Sequence, residues 1–191
     1  MKTIAIMDLM VPLEEYATIS EDASLADAIQ ALEKAQQAFD HTKYRHRAIL
    51  VLDTANHPIG KISQIDALKA LEPKYKEIQG EDTKGTFRHF SRMFLNSMLE
   101  HHRLFDGSLD DLREKAAKTH VKEYMHTLSA DECLNENATL DEAIHILIMG
   151  HQQSLLVTRD SVIVGILRLT DVFSAVFQSL SGFSDGVDEN R

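Results

Sequence analysis

Two stretches of the chain place short apolar runs and amphipathic segments in the same order. Leu25, Ala28, Ile29, Leu32, Ala35 and Phe39 recur at three- and four-residue spacing, which predicts one face of a helix. Ser24 with Asp27 three residues on predicts a capping box at its start. The run Ala48-Ile49-Leu50-Val51-Leu52 is short and rich in branched residues, as strands are. A turn over 53–58 then leads to a second strand, Ile59-Gly60-Lys61-Ile62, and to a helix carrying Ala67, Leu68 and Leu71 before Pro73. Later in the chain Thr139 with Glu142 predicts the same kind of helix start, and Leu140, Ala143, Ile144 and Leu147 give its face. Leu155-Leu156-Val157 and 162–167 supply the paired strands about a turn at 159–161. The closing helix carries Val172, Phe173, Val176, Phe177 and Leu180 before Gly182.

The correspondence is an internal repeat. Met10 and Met125, Ile19 and Leu134, Leu25 and Leu140, and Ile29 and Ile144 all stand 115 positions apart (125 − 10, 134 − 19, 140 − 25, 144 − 29). Gly60 with Gly165 and Asp66 with Asp171 stand 105 apart (165 − 60, 171 − 66), so the first copy holds ten further residues between its first helix and its glycine. Each copy reads strand, helix, strand, strand, helix. A unit of about 60 residues is too small to bury its own apolar sheet face comfortably. Two copies packed face to face, with pseudo-twofold symmetry and two related clefts, answer that need. The predicted class is α+β with a helical insert, divided as 1–73, an insert over 74–119, a second copy over 120–180 and a disordered tail over 181–191.

Within the insert, 74–86 is polar and reads as a loop. From Phe87 to Phe105, the residues Phe87, Phe90, Phe94, Met98, Leu104 and Phe105 approximate one helical face, widened by Met93 and Leu95. Asp106-Gly107 ends that helix, and Ser108 with Asp111 caps another running through Lys118. Such a stripe is expected first as intramolecular core, next as a homodimer contact, and third as a flexible surface for another protein.

Composition narrows the classes. Of 191 residues 43% are hydrophobic and 26% charged, a globular balance. The net charge of −10 repels a phosphate backbone, and the absence of tryptophan leaves few stacking platforms, so nucleic acid is a poor partner. No apolar run is long enough to span a bilayer, and acidic residues come too early for a signal peptide. A single cysteine, Cys133, fits a reducing, cytoplasmic setting. Ten histidines include no pair at metal-binding helical spacing, since His101 and His102 are adjacent, so no metal is expected. No P-loop, dinucleotide-binding or nucleophile-elbow pattern is present, and Cys133 falls in a predicted strand, where a structural thiol is the expectation.

The candidate chemistry lies at Gly60-Lys61-Ile62-Ser63-Gln64-Ile65-Asp66. A ribose offers two adjacent hydroxyl donors, and an ionised aspartate is a natural double acceptor. Gly60 permits close backbone approach, and Ser63 stands where a strand gives way to a helix whose first amides favour phosphate. Ser63 and Asp66 also form a capping box, which needs no ligand. The densest basic cluster, Lys43-Tyr44-Arg45-His46-Arg47, offers phosphate partners or a solvated loop rim. In the second copy Arg168 replaces the serine, with Thr170 beside Asp171, which removes the small hydroxyl and the box.

These residues resemble a tandem cystathionine-beta-synthase (CBS) domain pair, also called a Bateman module. The resemblance covers 4–72 and 120–180. It rests on Met10 and Met125, on the helix start Ser/Thr-Leu-x-Asp/Glu-Ala found twice, and on the glycine-to-aspartate ending found twice. It implies a regulatory, non-catalytic module, needing no cofactor, that binds AMP, ADP, ATP or S-adenosylmethionine between its domains. Carried onto this chain, it implies adenine at the backbone of Tyr16, Ala17, Thr18 and Ile19. Asp66 would hold the ribose, Gly60 and Ser63 the ribose-phosphate end, and Arg45, His46, Arg47 and Lys61 the phosphates. A weaker or vacant second site would comprise Cys133, Leu134, Arg168, Thr170 and Asp171. A homodimer and an unidentified regulated protein are the expected partners. Two rivals stand beside this reading. One is a ligand-free dimerisation scaffold, and the other a small hydrolase or transferase, which lacks any nucleophile–base constellation.

Overall fold

The structure is a computed structural model that describes residues 4–37, 48–76, 78 and 91–181. Its contacts divide the chain into two compact units. One is built from the described residues between 18 and 126, the other from those between 4 and 17 and between 127 and 181.

In the first unit the strand β2 (Thr18–Ser20) runs parallel to β3 (Ala48–Leu52), which pairs antiparallel with β4 (Pro58–Ser63). The edge beside β4 is taken by β5 (His126–Thr127). Ile49, Leu50 and Val51 are all buried, so this strand is covered on both faces, as a short continuous apolar run requires. The β3–β4 turn is organised by Asp53, whose Oδ1 accepts the amides of Ala55 and His57 at 2.8 Å each. Helix α1 (Leu25–Gln37) opens on the expected box, with Ser24 Oγ accepting the Asp27 amide and Asp27 Oδ2 accepting from Ser24. Helix α2 (Gln64–Leu71) follows β4 directly. It buries Ala67 and Ala70 while Leu68 faces outward.

In the second unit β6 (Cys133–Asn135) runs parallel to β7 (Ser154–Arg159), which pairs antiparallel with β8 (Val162–Arg168). The edge strand is β1 (Val11–Pro12), antiparallel to β8. The β7–β8 turn places Asp160 and Ser161 at φ 49° and 68°, the left-handed pair that a two-residue hairpin demands. The core gathers Ile6, Leu134, Leu140, Leu147, Leu155, Val157 and Leu167 around helices α5 (Leu140–Met149) and α6 (Leu169–Ser181). On α6 the small residues Val172 and Ala175 go inward, leaving Phe173, Phe177 and Leu180 exposed.

Strand register bears out the repeat residue by residue. Ile19, Val51 and Gly60 share one row across the first sheet, and Leu134, Val157 and Gly165 share the matching row across the second. The two glycines have a common packing reason. A Cβ on Gly60 would come within 2.9 Å of Met125 Cγ and 3.2 Å of the His126 carbonyl oxygen. One on Gly165 would meet the Val11 carbonyl oxygen at 2.7 Å and Met10 Cγ at 3.2 Å. In each unit an edge strand and its preceding methionine lie across the glycine.

Three expectations need correction. The Thr139 hydroxyl makes no cap bond, although Thr139 has the extended dihedrals of an N-cap. The acidic first turn, Asp141 and Glu142, complements the helix dipole there instead. The helix expected over Phe87–Phe105 is α3, Arg92–His101, because Ser91 accepts the Phe94 amide and so sets its start. Phe87 and Phe90 lie outside the described residues. Third, no residue of α3 is buried and Met93 is 81% exposed, so the α3 part of the stripe does not enter the core, whereas Leu104 beyond it is buried. The neighbouring helix α4 (Leu109–Lys118) has the Ser108–Asp111 box as expected. What fastens the insert is a buried carboxylate: Glu72, 3% exposed, accepts the Phe105 amide at 2.7 Å, and Lys74 Nζ donates to the Arg103 carbonyl oxygen at 2.8 Å.

Candidate functional site

In the first repeat the strand-to-helix junction is built by four residues of the chain itself. β4 ends at Ser63, whose extended backbone (φ −91°, ψ 168°) turns the chain into α2. Ser63 Oγ accepts the Asp66 amide at 3.3 Å and donates to Asp66 Oδ2 at 2.6 Å, and the Ser63 amide donates to the same oxygen at 3.0 Å. Asp66 is thereby oriented through one oxygen only. Among the described residues no hydrogen bond reaches Oδ1, which is left as an acceptor at the head of α2. Thr18 stands in the sheet row of Lys61 and Ile19 in the row of Gly60. Thr18, Ile19, Gly60, Lys61, Ser63 and Asp66 therefore belong to one unit. Arg45, His46 and Arg47 lie outside the described residues.

The second repeat solves the same junction with a cation. Arg168 ends β8, and its amide donates to Asp171 Oδ2 at 3.2 Å. Its guanidinium forks onto the same carboxylate, Nε to Oδ2 and Nη2 to Oδ1, both at 2.6 Å. The side chains are 10% and 12% exposed. The box is therefore not lost outright, as the sequence suggested. The carboxylate-to-amide half survives and the guanidinium replaces the hydroxyl.

Tyr16 belongs with this pair rather than with the strand that follows it in sequence. It is buried after a short turn at Leu13–Glu15, and burial pushes its phenol up to about 12, with Arg168 drawing it down and Asp171 raising it. The division between the two units falls between Ala17 and Thr18. Sequence reasoning missed this grouping because repeat arithmetic shows which residues correspond, not which sheet an edge strand joins. Thr170 sits half-buried in the first turn of α6, and Leu134 is buried in β6. Cys133 is half-buried, with Sγ donating to the Ser129 carbonyl oxygen at 3.6 Å. Burial, and secondarily Glu132, raises its thiol above the ordinary range, which disfavours a nucleophilic thiolate.

Among the described residues no three His, Cys, Asp or Glu side chains cluster to hold a metal, and no helix is long and apolar enough to cross a membrane.

Comparison with known proteins agrees with this architecture. The model of the CBS domain matches twice, over residues 6–73 and 121–178, more than half of the chain. No curated protein matches the sequence. Among solved structures, CBSX2 in complex with AMP is similar at 19% identity and a TM-score of 0.57, over 91% of this chain and 97% of that one. CBSX2 is described as a CBS-pair protein from Arabidopsis thaliana. A putative acetoin utilization protein from Vibrio cholerae is similar at 18% identity, over 96% and 97% of the two chains, with a TM-score of 0.57. A CBS domain-containing protein of unknown function from Kribbella flavida gives 14% identity and a TM-score of 0.59, over 91% and 98%.

Proposed function

The chain belongs to the CBS domain family, which it carries as a tandem pair, and on that premise we propose that it is a regulatory module binding an adenosyl ligand at its first repeat. The observation that carries this is the Ser63–Asp66 junction. A half-buried aspartate, oriented through one oxygen and open at the other, stands at a helix start, where a ribose diol and an adjoining phosphate find acceptor and donors together. The AMP held by CBSX2 supports a nucleoside monophosphate as the first ligand to try. ADP, ATP and S-adenosylmethionine follow. On this reading the ligand is bound and not turned over, and the regulatory output arises because one arrangement of the module binds it better than another.

We also propose that the working form is a homodimer. Leu169, Phe173, Phe177 and Leu180 form one exposed apolar face of α6, and exposed stripes of this kind are usually interfaces. The ligand-free scaffold is favoured by one observation, the Met125 side chain lying over Gly60, since it accounts for that glycine without a ligand.

The test is thermal unfolding of the purified protein with each nucleotide in turn. A ligand at a hundred times its dissociation constant adds about 2.7 kcal/mol. Stabilisation that disappears in Asp66→Ala supports the sensor. No shift with any adenosyl compound leaves the scaffold, and nucleotide turnover by pure protein makes it an enzyme.

A further inference from the structure

The two repeats satisfy their matching aspartates differently, and the difference predicts which of them accepts a ligand. Asp66 is held through Oδ2 by one residue's hydroxyl and amide. Asp171 is held through both oxygens by the Arg168 fork as well as the Arg168 amide, at side-chain exposures of 10% and 12%. We propose that Arg168 is an internal occupant of the second repeat's sugar-binding position, a latch that confines adenosyl-ligand binding to the first repeat. This rests on the proposed ligand class but concerns a residue that departs from the motif.

The chemistry is a competition for one carboxylate. A ribose offers Asp171 two neutral hydroxyl donors, whereas Arg168 offers two charged donors in the planar geometry that a carboxylate fits best. Separating the pair also takes two charge-assisted hydrogen bonds from a buried guanidinium. Tyr16 is buried within electrostatic reach of both members of the pair. Threonine at 168 offers Asp171 the hydroxyl and amide that Ser63 offers Asp66, but removes a buried ion-pair partner, so folding is checked for each variant.

The experiment is calorimetric titration with AMP of the wild-type full chain, Arg168→Thr, Asp66→Ala and the Asp66→Ala/Arg168→Thr double variant, with circular dichroism as a check on folding. The expected stoichiometries are about one AMP per chain for the wild type, about two for Arg168→Thr, none for Asp66→Ala, and about one for the double variant. Arg168→Lys keeps the charge but not the fork, and is expected to admit a second AMP more weakly than Arg168→Thr. A wild type that binds two AMP, one of them lost in Asp171→Ala, overturns the latch. So does a folded Arg168→Thr protein that gains no site. A wild type that binds none while Arg168→Thr binds one supports the latch and overturns the first-repeat site. No binding by any folded variant overturns both.

Discussion

Gly60→Ala separates a glycine kept for packing from one kept for a ligand. The added methyl would stand 2.9 Å from Met125 Cγ and 3.2 Å from the His126 carbonyl oxygen. The thioether is flexible and can retreat, but the carbonyl belongs to β5, the strand beside β4 in the sheet, and can move only with it. Overpacking of this kind costs about 1–3 kcal/mol. Alanine returns about 0.4–1 kcal/mol by narrowing the unfolded ensemble. The two terms leave a net loss of about 0–2.6 kcal/mol, and for a chain of this size each kcal/mol lowers Tm by about 2–4 °C. Differential scanning calorimetry of Gly60→Ala, Met125→Ala and the double variant reads it. Met125→Ala costs stability alone, but in the Gly60→Ala background it relieves the clash, so the double variant is more stable than the sum of the single losses by about 0.5–2 kcal/mol. Single losses that simply add in the double variant, together with AMP binding lost in Gly60→Ala, would refute the packing account and return the glycine to the ligand.

Further expectations concern the buried groups. Glu72→Ala strands the Phe105 amide and costs about 1–3 kcal/mol, read by denaturant unfolding and by faster exchange of that amide, while Glu72→Gln, which keeps an acceptor, costs less. The Tyr16 phenol, raised from 10 to about 12, favours the folded state fully below pH 10 and loses that contribution as pH rises from about 10 to 12. Tyr16→Phe flattens the fall over that window, which amounts to about 2–3 kcal/mol, in alkaline denaturant titrations. The carboxylates of Asp27 and Asp111 are held below the ordinary range, chiefly by hydrogen bonds from Ser24 and Ser108. Their contribution is present above about pH 4 and falls away as acid protonates them in the folded protein. Ser108→Ala should therefore lessen the stability difference between pH 7 and pH 3. Phe173→Glu and Phe177→Glu should convert a homodimer to monomer in sedimentation while leaving the fold intact, and a wild type that sediments as monomer would reject the dimer.

The sequence determined the repeated unit and most of its local devices. Helical spacing, the Ser24–Asp27, Ser63–Asp66 and Ser108–Asp111 boxes, the branched strands and both hairpin turns act through neighbours within a few residues, so they can be seen without coordinates. The Ser63–Asp66 pairing was likewise in view as a cap, but that it leaves one aspartate oxygen open needed the geometry. Tertiary structure decided what depends on distant partners. It sent β1 to the edge of β8 and β5 to the edge of β4, which gave the two glycines their reason. It left the α3 stripe and the α6 phenylalanines exposed, because an apolar face at helical spacing records the need for a partner but not its presence. It also turned Arg168 onto Asp171. A long charged side chain has many rotamers, and only the buried setting selects the one in which both carboxylate oxygens are taken.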